Sequence, residues 1–491
     1  MSTIALPMAH AELSTREGRR ATLFAYHCPS RYSPSSEGVN TVRDDDTAID
    51  HAGGIPRWRG IKVVHAPRNG KTRGSKPHNV KREVEILGRI KHENIVKLLE
   101  YVYDDRRIEH RLYLPLFVMT LTELFQDSSF PFLYPPPPPS RRKPISVTDT
   151  HDERLSSSGE DLVPTILSFQ LLSAIAFLHS NEPEPICHRD INPSNVLLDV
   201  RGDLKLVDFG TVWMDELPDR NDDGYGNSKG EDGMGYGRGH IKEKSTTRSD
   251  GRDGLWDHRA WNEDEEEDWE ELRGSMCCDV GTGPYRAPEL LFSPTGYDPI
   301  PLDLWSAGVI ISQFFTPFST SGINGDDDGY HSDEHDPLEH EESISARSGP
   351  GRKGERKPLF ESEFGSLGLA ASIFKTLGTP TDDNWPTFHQ LPDAGKIDFP
   401  PAIPIPRRSL LPDLSHTGES APHVLSIIDG LLRLDPAQRI SAKDALKSPW
   451  LDRVRDDESR LAMAQYRAMI RPWIDDGLER YAHLANDSRA E

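Results

Sequence analysis

Along this chain the apolar residues fall into short stretches of two kinds, and the first third alternates between them. Gly60 to Val64 reads as a strand, and Val80, Val84, Ile86, Leu87 and Ile90 then recur at helical spacing. A second strand-like run covers Leu112 to Val118. Beyond it the pattern turns mostly helical, through Ile166, Phe169, Leu172, Ile175, Ala176 and Leu178 in Leu162 to His179, then Leu304 to Phe315 and Leu425 to Leu434. From about Asp456 a last periodic set, Leu461, Ala462, Tyr466, Ile470, Trp473 and Ile474, predicts a C-terminal helix docked on the body. A β-rich smaller part before a helix-rich larger one predicts an α+β fold of two lobes with a cleft between them.

Three internal segments break the pattern. Residues 127–160 hold the run Pro135 to Pro139, then Arg141, Arg142 and Lys143 and a Ser-rich stretch. Residues 215–274 are rich in Gly, Asp and Asn and end in the acidic block Glu263 to Glu271, broken only by Trp269. Residues 319–356 repeat the theme around Asp326 to Asp328. All three are expected as disordered insertions, with self-repulsion keeping the acidic block solvated. Removing them with residues 1–24 and the tail from 456 leaves roughly 300 residues, one large domain cut by inserts. The expected parts are an N-terminal extension (1–24), an N-lobe (25–120), a C-lobe (121–455) and a helical tail (456–491).

Charge narrows the function classes: 57 Lys and Arg stand against 80 Asp and Glu, a net −23, which argues against binding a phosphate backbone. Four cysteines (Cys28, Cys187, Cys277, Cys278) are too few and too irregular for a disulfide framework or a paired zinc site, which predicts a reduced, intracellular protein. The beginning of the chain has no continuous apolar core, and the most apolar stretches are interrupted by Ser and Gln, so no membrane span is expected.

The chemistry concentrates in His188-Arg189-Asp190-Ile191-Asn192-Pro193-Ser194-Asn195, followed thirteen residues after the Asn by Asp208-Phe209-Gly210. Phosphoryl transfer needs a carboxylate to orient an attacking hydroxyl and oxygen ligands to hold Mg²⁺ against the phosphates of ATP. Asp190, Asn195 and Asp208 supply both. With Gly281-Thr282 and Tyr285-Arg-Ala-Pro-Glu289 further on, the set is far more specific than any one tripeptide.

From about Tyr32 to Leu451, inserts apart, the chain resembles the eukaryotic protein kinases, with the motifs in that family's order. The resemblance implies a bilobal kinase fold that takes ATP and Mg²⁺, Asp190 as catalytic base, and Asn195 and Asp208 as metal ligands. It implies Lys62, from Gly60-Ile61-Lys62, on the α and β phosphates, and Glu83 as its partner, with Glu85 facing solvent. Leu112 to Met119 is similar to the strand entering the adenine-binding hinge. Glu289 is expected to pair with Arg439 in a buried structural ion pair.

The Asp303-Leu-Trp305-Ser-Ala-Gly308 and Ile373 to Pro380 motifs, with Trp385-Pro386, resemble the cyclin-dependent and mitogen-activated branch. A finer resemblance is to the fungal monomeric kinases that activate cyclin-dependent kinases. It implies protein substrates, a cyclin-dependent kinase among them, and leaves a cyclin-like partner open. The basic residues from Arg68 to Arg82 and Arg141 to Lys143 suit either a nuclear address or plain solubility, so nucleus and cytoplasm both stay open.

Three departures from the family pattern stand out. No G-x-G-x-x-G precedes Lys62, and Tyr32 to Val42 offers only Gly38. Asn192 stands where a lysine usually contacts the transferring phosphate. Cys277 falls where cyclin-dependent kinases carry an activating threonine, so Ser275, Asp279 or the acidic block is expected to answer Arg189. Two readings follow: an active serine/threonine kinase, independent of that phosphorylation, or a pseudokinase scaffold. The plain alternatives are turn or cap residues for Asp190 and Asn195 and an exposed strand lysine for Lys62.

Overall fold

A computed structural model describes residues 21–27, 58–65, 78–132 (less 105), 161–214 (less 182 and 183), 271, 274–320, 354–455 and 459–487. The small part is a four-stranded antiparallel sheet in the order β1-β2-β4-β3: β1 Ala21–His27, β2 Trp58–His65, β3 Glu100–Asp104 and β4 Glu109–Pro115. Its register sets Lys62 opposite Leu112 on one side and Leu23 on the other. β1 thus begins inside the stretch expected as an N-terminal extension. The expected glycine-poor segment from Tyr32 to Val42 lies outside the described residues.

Helix α1 (Val80–Arg89) opens on Asn79, whose side chain accepts from the Arg82 amide at 3.0 Å. That cap satisfies one of the amides a helix start leaves unpaired. Val80, Val84 and Leu87 then fall on one buried stripe, and Glu83 is buried beside them. Glu85 faces outward and pairs with Arg89 one turn on, as expected.

Strand β5 (Phe117–Thr120) leads out of the small part and pairs with β7 (Val196–Asp199) of the large one. Thr120 and Glu123 form a reciprocal capping box that starts the short helix α2 (Leu121–Phe125). Next comes α3 (Leu162–His179), the one described helix apolar and long enough to cross a membrane, yet most of it is buried in the large part. Against it packs α4 (Ile300–Gln313), which in turn packs on the helix Ala421–Leu431, while α5 (Gly365–Leu377) packs on the turn Pro288–Phe292.

The insert boundaries need correcting at three places, each for the same reason: residues at the edge of a polar segment carry side chains that the core can use. Asp127 to Phe132 belong to the body, with the rings of Phe130 and Phe132 buried. At the far end of the third insert, β11 (Gly354–Arg356) pairs with β10 (Phe318–Thr320). There the buried Arg356 donates to the Phe130 carbonyl at 2.8 Å and to Asp413 at 2.6 Å. Glu271, the last residue of the acidic block, is also buried against the body.

The C-terminal helix Ser459–Asp487 buries Ala462, Tyr466, Ile470, Trp473 and Ile474, as the spacing predicts, while Leu461 stays exposed. The Tyr466 hydroxyl donates to the Gly202 carbonyl at 2.5 Å, and the Trp473 indole to Asp127 at 3.0 Å. Gly477 approaches β5 so closely that a Cβ there would lie 2.3 Å from Val118. The tail therefore braces the crossing between the two parts from behind.

Candidate active site

The site is built on a hairpin. β7 and β8 (Leu204–Leu206) are antiparallel, with Val196 opposite Leu206. Asn195 and Val207, the next residues outward, then meet through Val207 N–H to Asn195 C=O at 3.0 Å. Thirteen residues of sequence thus close into neighbouring backbone, placing Asn195 beside the residue that precedes Asp208.

The stretch before β7 is held from below by one carboxylate. Asp303, fully buried on α4, accepts the backbone amides of His188 and Arg189, each at 2.8 Å, and lies 3.0 Å from the His179 ring. The same carboxylate satisfies amides that the bent backbone leaves without ladder partners, for Arg189 has φ 63°. His188 reaches forward through its Nε2 to the Val207 carbonyl at 3.0 Å and packs edge-on against Phe209. His188 and Asp303 therefore position Asp190 and Asp208 relative to each other.

Asp190 itself is 3% exposed, too buried for the plain turn residue its type would suggest. Its Oδ1 accepts from Thr282 Oγ1 at 2.5 Å and from Asn192 Nδ2 at 3.1 Å, and its Oδ2 from Asn195 Nδ2 at 3.3 Å. Asn192, which stands where a lysine was expected, holds this carboxylate and accepts the Ser194 amide at 3.0 Å. Asn195 donates through its amide nitrogen, which keeps its side-chain carbonyl as the atom chemically able to bind a cation.

Lys62 forms the opposite wall. Its Nζ lies 2.8 Å from both carboxylate oxygens of Glu83 and 2.9 Å from Asp208 Oδ1, and it is no exposed strand lysine. Burial alone would lower its pKa, but Asp208 and Glu83 outweigh burial and hold the ammonium above its ordinary range. Burial works in the other direction on Asp208, and Lys62 with His78 overrides it to keep the carboxylate well below the usual range. Asp208 adopts φ 66°, a left-handed conformation uncommon outside glycine, as residues at reactive sites often do.

His78 was not singled out by the sequence pattern. Its Nε2 lies 3.3 Å from Asp208 Oδ1, and a Cβ on Gly210 would fall 2.0 Å from that same nitrogen. The neighbouring Asn79 amide donates to the Gly210 carbonyl at 2.7 Å. No periodicity or motif marks a lone histidine ahead of a helix cap, so only the fold reveals that α1 begins against the Asp208-Phe209-Gly210 turn.

The donor atoms fit a hard divalent cation on Asp208 and Asn195, a carboxylate with an amide carbonyl. The nitrogen and oxygen trio of His78, Glu83 and Asp208, with ligand atoms within 4.8 Å of one another, is a poorer match. The Lys62 ammonium already stands between Glu83 and Asp208 there and fills the space a cation would take among the three. An ordered lysine beside such a pair is suited to bind polyphosphate oxygens, and the shielded Asp190 to orient a hydroxyl.

Below the site, Arg439 and Glu289 form the expected bidentate pair, and Arg189 answers to Glu271. Of the three partners foreseen for Arg189, Asp279 instead lies 3.4 Å from Arg286 and is largely exposed. Glu271 belongs to the acidic block that self-repulsion was expected to keep solvated; a buried guanidinium overrides the repulsion for this one member.

A protein kinase domain model matches residues 59–217 and 266–451, well over half of the chain. The structure is similar to a chain of the CAK complex from Chaetomium thermophilum bound to ATP-γ-S, at 19% identity and TM-score 0.51, covering 91% of this chain and 90% of that one. It is also similar to a chain of the yeast RNA polymerase II CTD kinase CTDK-1 complex, at 19% identity and TM-score 0.46, with coverages of 82% and 86%. With its hairpin-borne Asn195 and Asp208 and its paired Lys62 and Glu83, the chain belongs to the protein kinase family.

Proposed function

We propose that this kinase is a serine/threonine kinase of the cyclin-dependent-kinase-like group, transferring the γ-phosphate of ATP to a hydroxyl of protein substrates, an unphosphorylated cyclin-dependent kinase among them. The observation that carries the catalytic part is the joint state of Lys62, clamped between Glu83 and Asp208, and of Asp190, buried and bonded to Asn192, Asn195 and Thr282.

In this reading Lys62 binds the α and β phosphates, with Glu83 fixing its ammonium. Asp208 and the Asn195 carbonyl would hold Mg²⁺, and that ion would supply neutralisation of charge on the phosphates. Asp190 accepts a hydrogen bond from the attacking hydroxyl and orients its oxygen, while Thr282 ties the carboxylate to the segment that faces the substrate. Asn192 replaces a positive charge by a hydrogen bond to Asp190, trading charge stabilisation for positioning. The group assignment rests on Tyr285 to Glu289, Asp303 to Gly308 and Ile373 to Pro380.

The test uses purified full-length protein with Mg²⁺ and ATP, offered a Ser/Thr peptide library and an unphosphorylated cyclin-dependent kinase. Asp190→Asn should lower turnover by about two to four orders of magnitude with nucleotide affinity retained. Asp208→Asn should abolish magnesium-dependent nucleotide binding. Absence of phosphate incorporation into any protein or peptide would favour the scaffold reading, and incorporation that spares the cyclin-dependent kinase would remove it as substrate.

A further inference from the structure

Helix α5 carries one apolar line at helical spacing, Leu367, Ala370, Phe374 and Leu377, and the body covers only its later part. Ala370, Phe374 and Leu377 are buried, whereas Leu367 is 52% exposed and Phe364, one residue before the helix, 83%. Single exposed apolar side chains are ordinary, but two adjoining ones that prolong a buried stripe form a patch. The patch is also held in place. The Glu361 amide donates to Ser372 Oγ at 2.9 Å, and the Gly365 amide to the Ser362 carbonyl at 3.1 Å. Phe364 lies over Gly368, where an added Cβ would fall 2.6 Å from that of Phe364. An aromatic side chain seated on a glycine loses little freedom when a partner covers it.

This end of α5 adjoins the segment that faces the substrate. Thr282 donates to Asp190 at 2.5 Å, and the next residue, Gly283 at φ 47°, comes so near that a Cβ there would stand 3.3 Å from Ser362 Oγ. Ser362 is two residues from Phe364. Summed along that path, Phe364 lies no more than roughly 25 Å from Asp190, the reach of about seven extended residues. Charge on the patch has one sign: Glu361 and Glu363 are both exposed, and neither pairs with a described residue. The next exposed cation along the helix, Lys375, stands about 12 Å further up the axis than Leu367.

We propose that the exposed end of α5 is a docking surface for protein substrates, taking a segment in which an aliphatic or aromatic side chain is flanked by Lys or Arg, within about seven residues of the accepting hydroxyl. The apolar side chain covers Phe364 and Leu367, and the basic ones answer Glu361 and Glu363. This deepens the protein-substrate reading above and rests on it for any effect on turnover, while the binding is a separate physical statement with its own readout. Because the patch lies several residues' reach from Asp190, it acts on affinity for the substrate and leaves the chemical step alone.

The experiment uses the full-length protein and a short acceptor peptide chosen from a Ser/Thr library. The same peptide is also extended, at one end or the other, by Arg-Leu-Arg-Phe beyond a Gly-Ser linker of about six residues. In one placement the extended peptide should show a KM about tenfold below that of the short one, with kcat within about twofold. Phe364→Ser/Leu367→Ser should lose that advantage and still handle the short peptide as the wild type does. Glu361→Lys/Glu363→Lys should lose it too, and regain it when the extension is Glu-Leu-Glu-Phe. In fluorescence anisotropy without ATP, the labelled extended peptide should bind the wild type at least about tenfold tighter than the serine variant, and weaken with added salt.

Equal KM for short and extended peptides in both placements, or an advantage that survives Phe364→Ser/Leu367→Ser, would overturn the proposal. A wild type that sediments as a dimer and turns monomeric in that variant would also overturn it, by giving the patch to a second copy of the chain. Peptide binding that emerges only on deletion of residues 321–353 would give the patch to that segment instead. A wild type that transfers no phosphate would defeat the kinase reading alone, and the anisotropy would still decide whether the surface docks a basic, apolar segment.

Discussion

Arg439 and Glu289 meet through two hydrogen bonds of 2.7 Å across 150 positions of chain, with the guanidinium also stacked 5.0 Å from the Trp305 ring. Arg439 further donates to the carbonyls of Arg433 and Pro301, so its donors are spent on groups that would otherwise be buried without partners. Removing one member leaves the other charged in a dry place. Glu289→Ala should destabilise the protein by about 3–5 kcal/mol, measured by urea unfolding. The Glu289→Leu/Arg439→Met pair should lose distinctly less, and an equal or greater loss would show that the pair adds net stability.

Gly210 and His78 give a second prediction. Because a Cβ at position 210 would overlap the imidazole, Gly210→Ala should expel His78 from Asp208. Its kinetic effect should match that of His78→Ala, and the double variant should be no worse than either. Additive losses in kcat/KM would mean that the methyl group harms the Asp208 turn directly.

The sequence was most readable where chemistry demands consecutive residues. His188 to Asn195 and Asp208 to Gly210 announce themselves because a tight turn leaves few ways to arrange them. Lys62 and Glu83 were found only through the family resemblance of the strand and the helix that carry them. By contrast His78 reaches the site by tertiary packing from a segment whose local pattern carries no such mark, and Thr282 and Glu271, though visible in a motif and in an acidic block, give no sign in the sequence of the contacts they make. The helical tail was legible from its apolar spacing, whereas Phe130 and Arg356 were hidden at the edges of polar inserts, where composition averaged over a window masks single buried side chains.

His110 supplies a pH test. It is buried with its Nδ1 2.8 Å from the Tyr101 hydroxyl, and burial, helped by the Lys81 charge, pushes its pKa down to about 4. Between the ordinary value near 6.5 and about 4, the unfolded chain takes up a proton that the folded one refuses. Stability from this group is therefore complete above pH 6.5 and falls as the pH drops toward 4. At pH 5 the wild type should have lost about 2 kcal/mol more than His110→Gln, read from urea midpoints at pH 7.5 and 5. Parallel pH profiles for the two proteins would contradict the assignment.

The tail helix yields a fourth prediction. Trp473 is buried, packs edge-on against Phe130 at 5.5 Å and donates to Asp127. Trp473→Ala should cost about 3–5 kcal/mol, and Trp473→Phe markedly less. If the alanine variant melts like the wild type, the tail is not part of the folded unit.

Consider where the chain departs and rejoins around its longest insert. Trp213 and Met214 pair as β9 with Cys187 and Ile186 of β6, while Glu271 touches Arg189 two positions beyond Cys187. Exit and re-entry thus share one doorway, and closing a gap there costs little more for dozens of residues than for ten, since the entropy rises only with the logarithm of length. The fold is in that sense indifferent to how much sequence is spliced in at this point, and the doorway is a natural place to graft a reporter peptide or trim the chain, provided residue 271 stays.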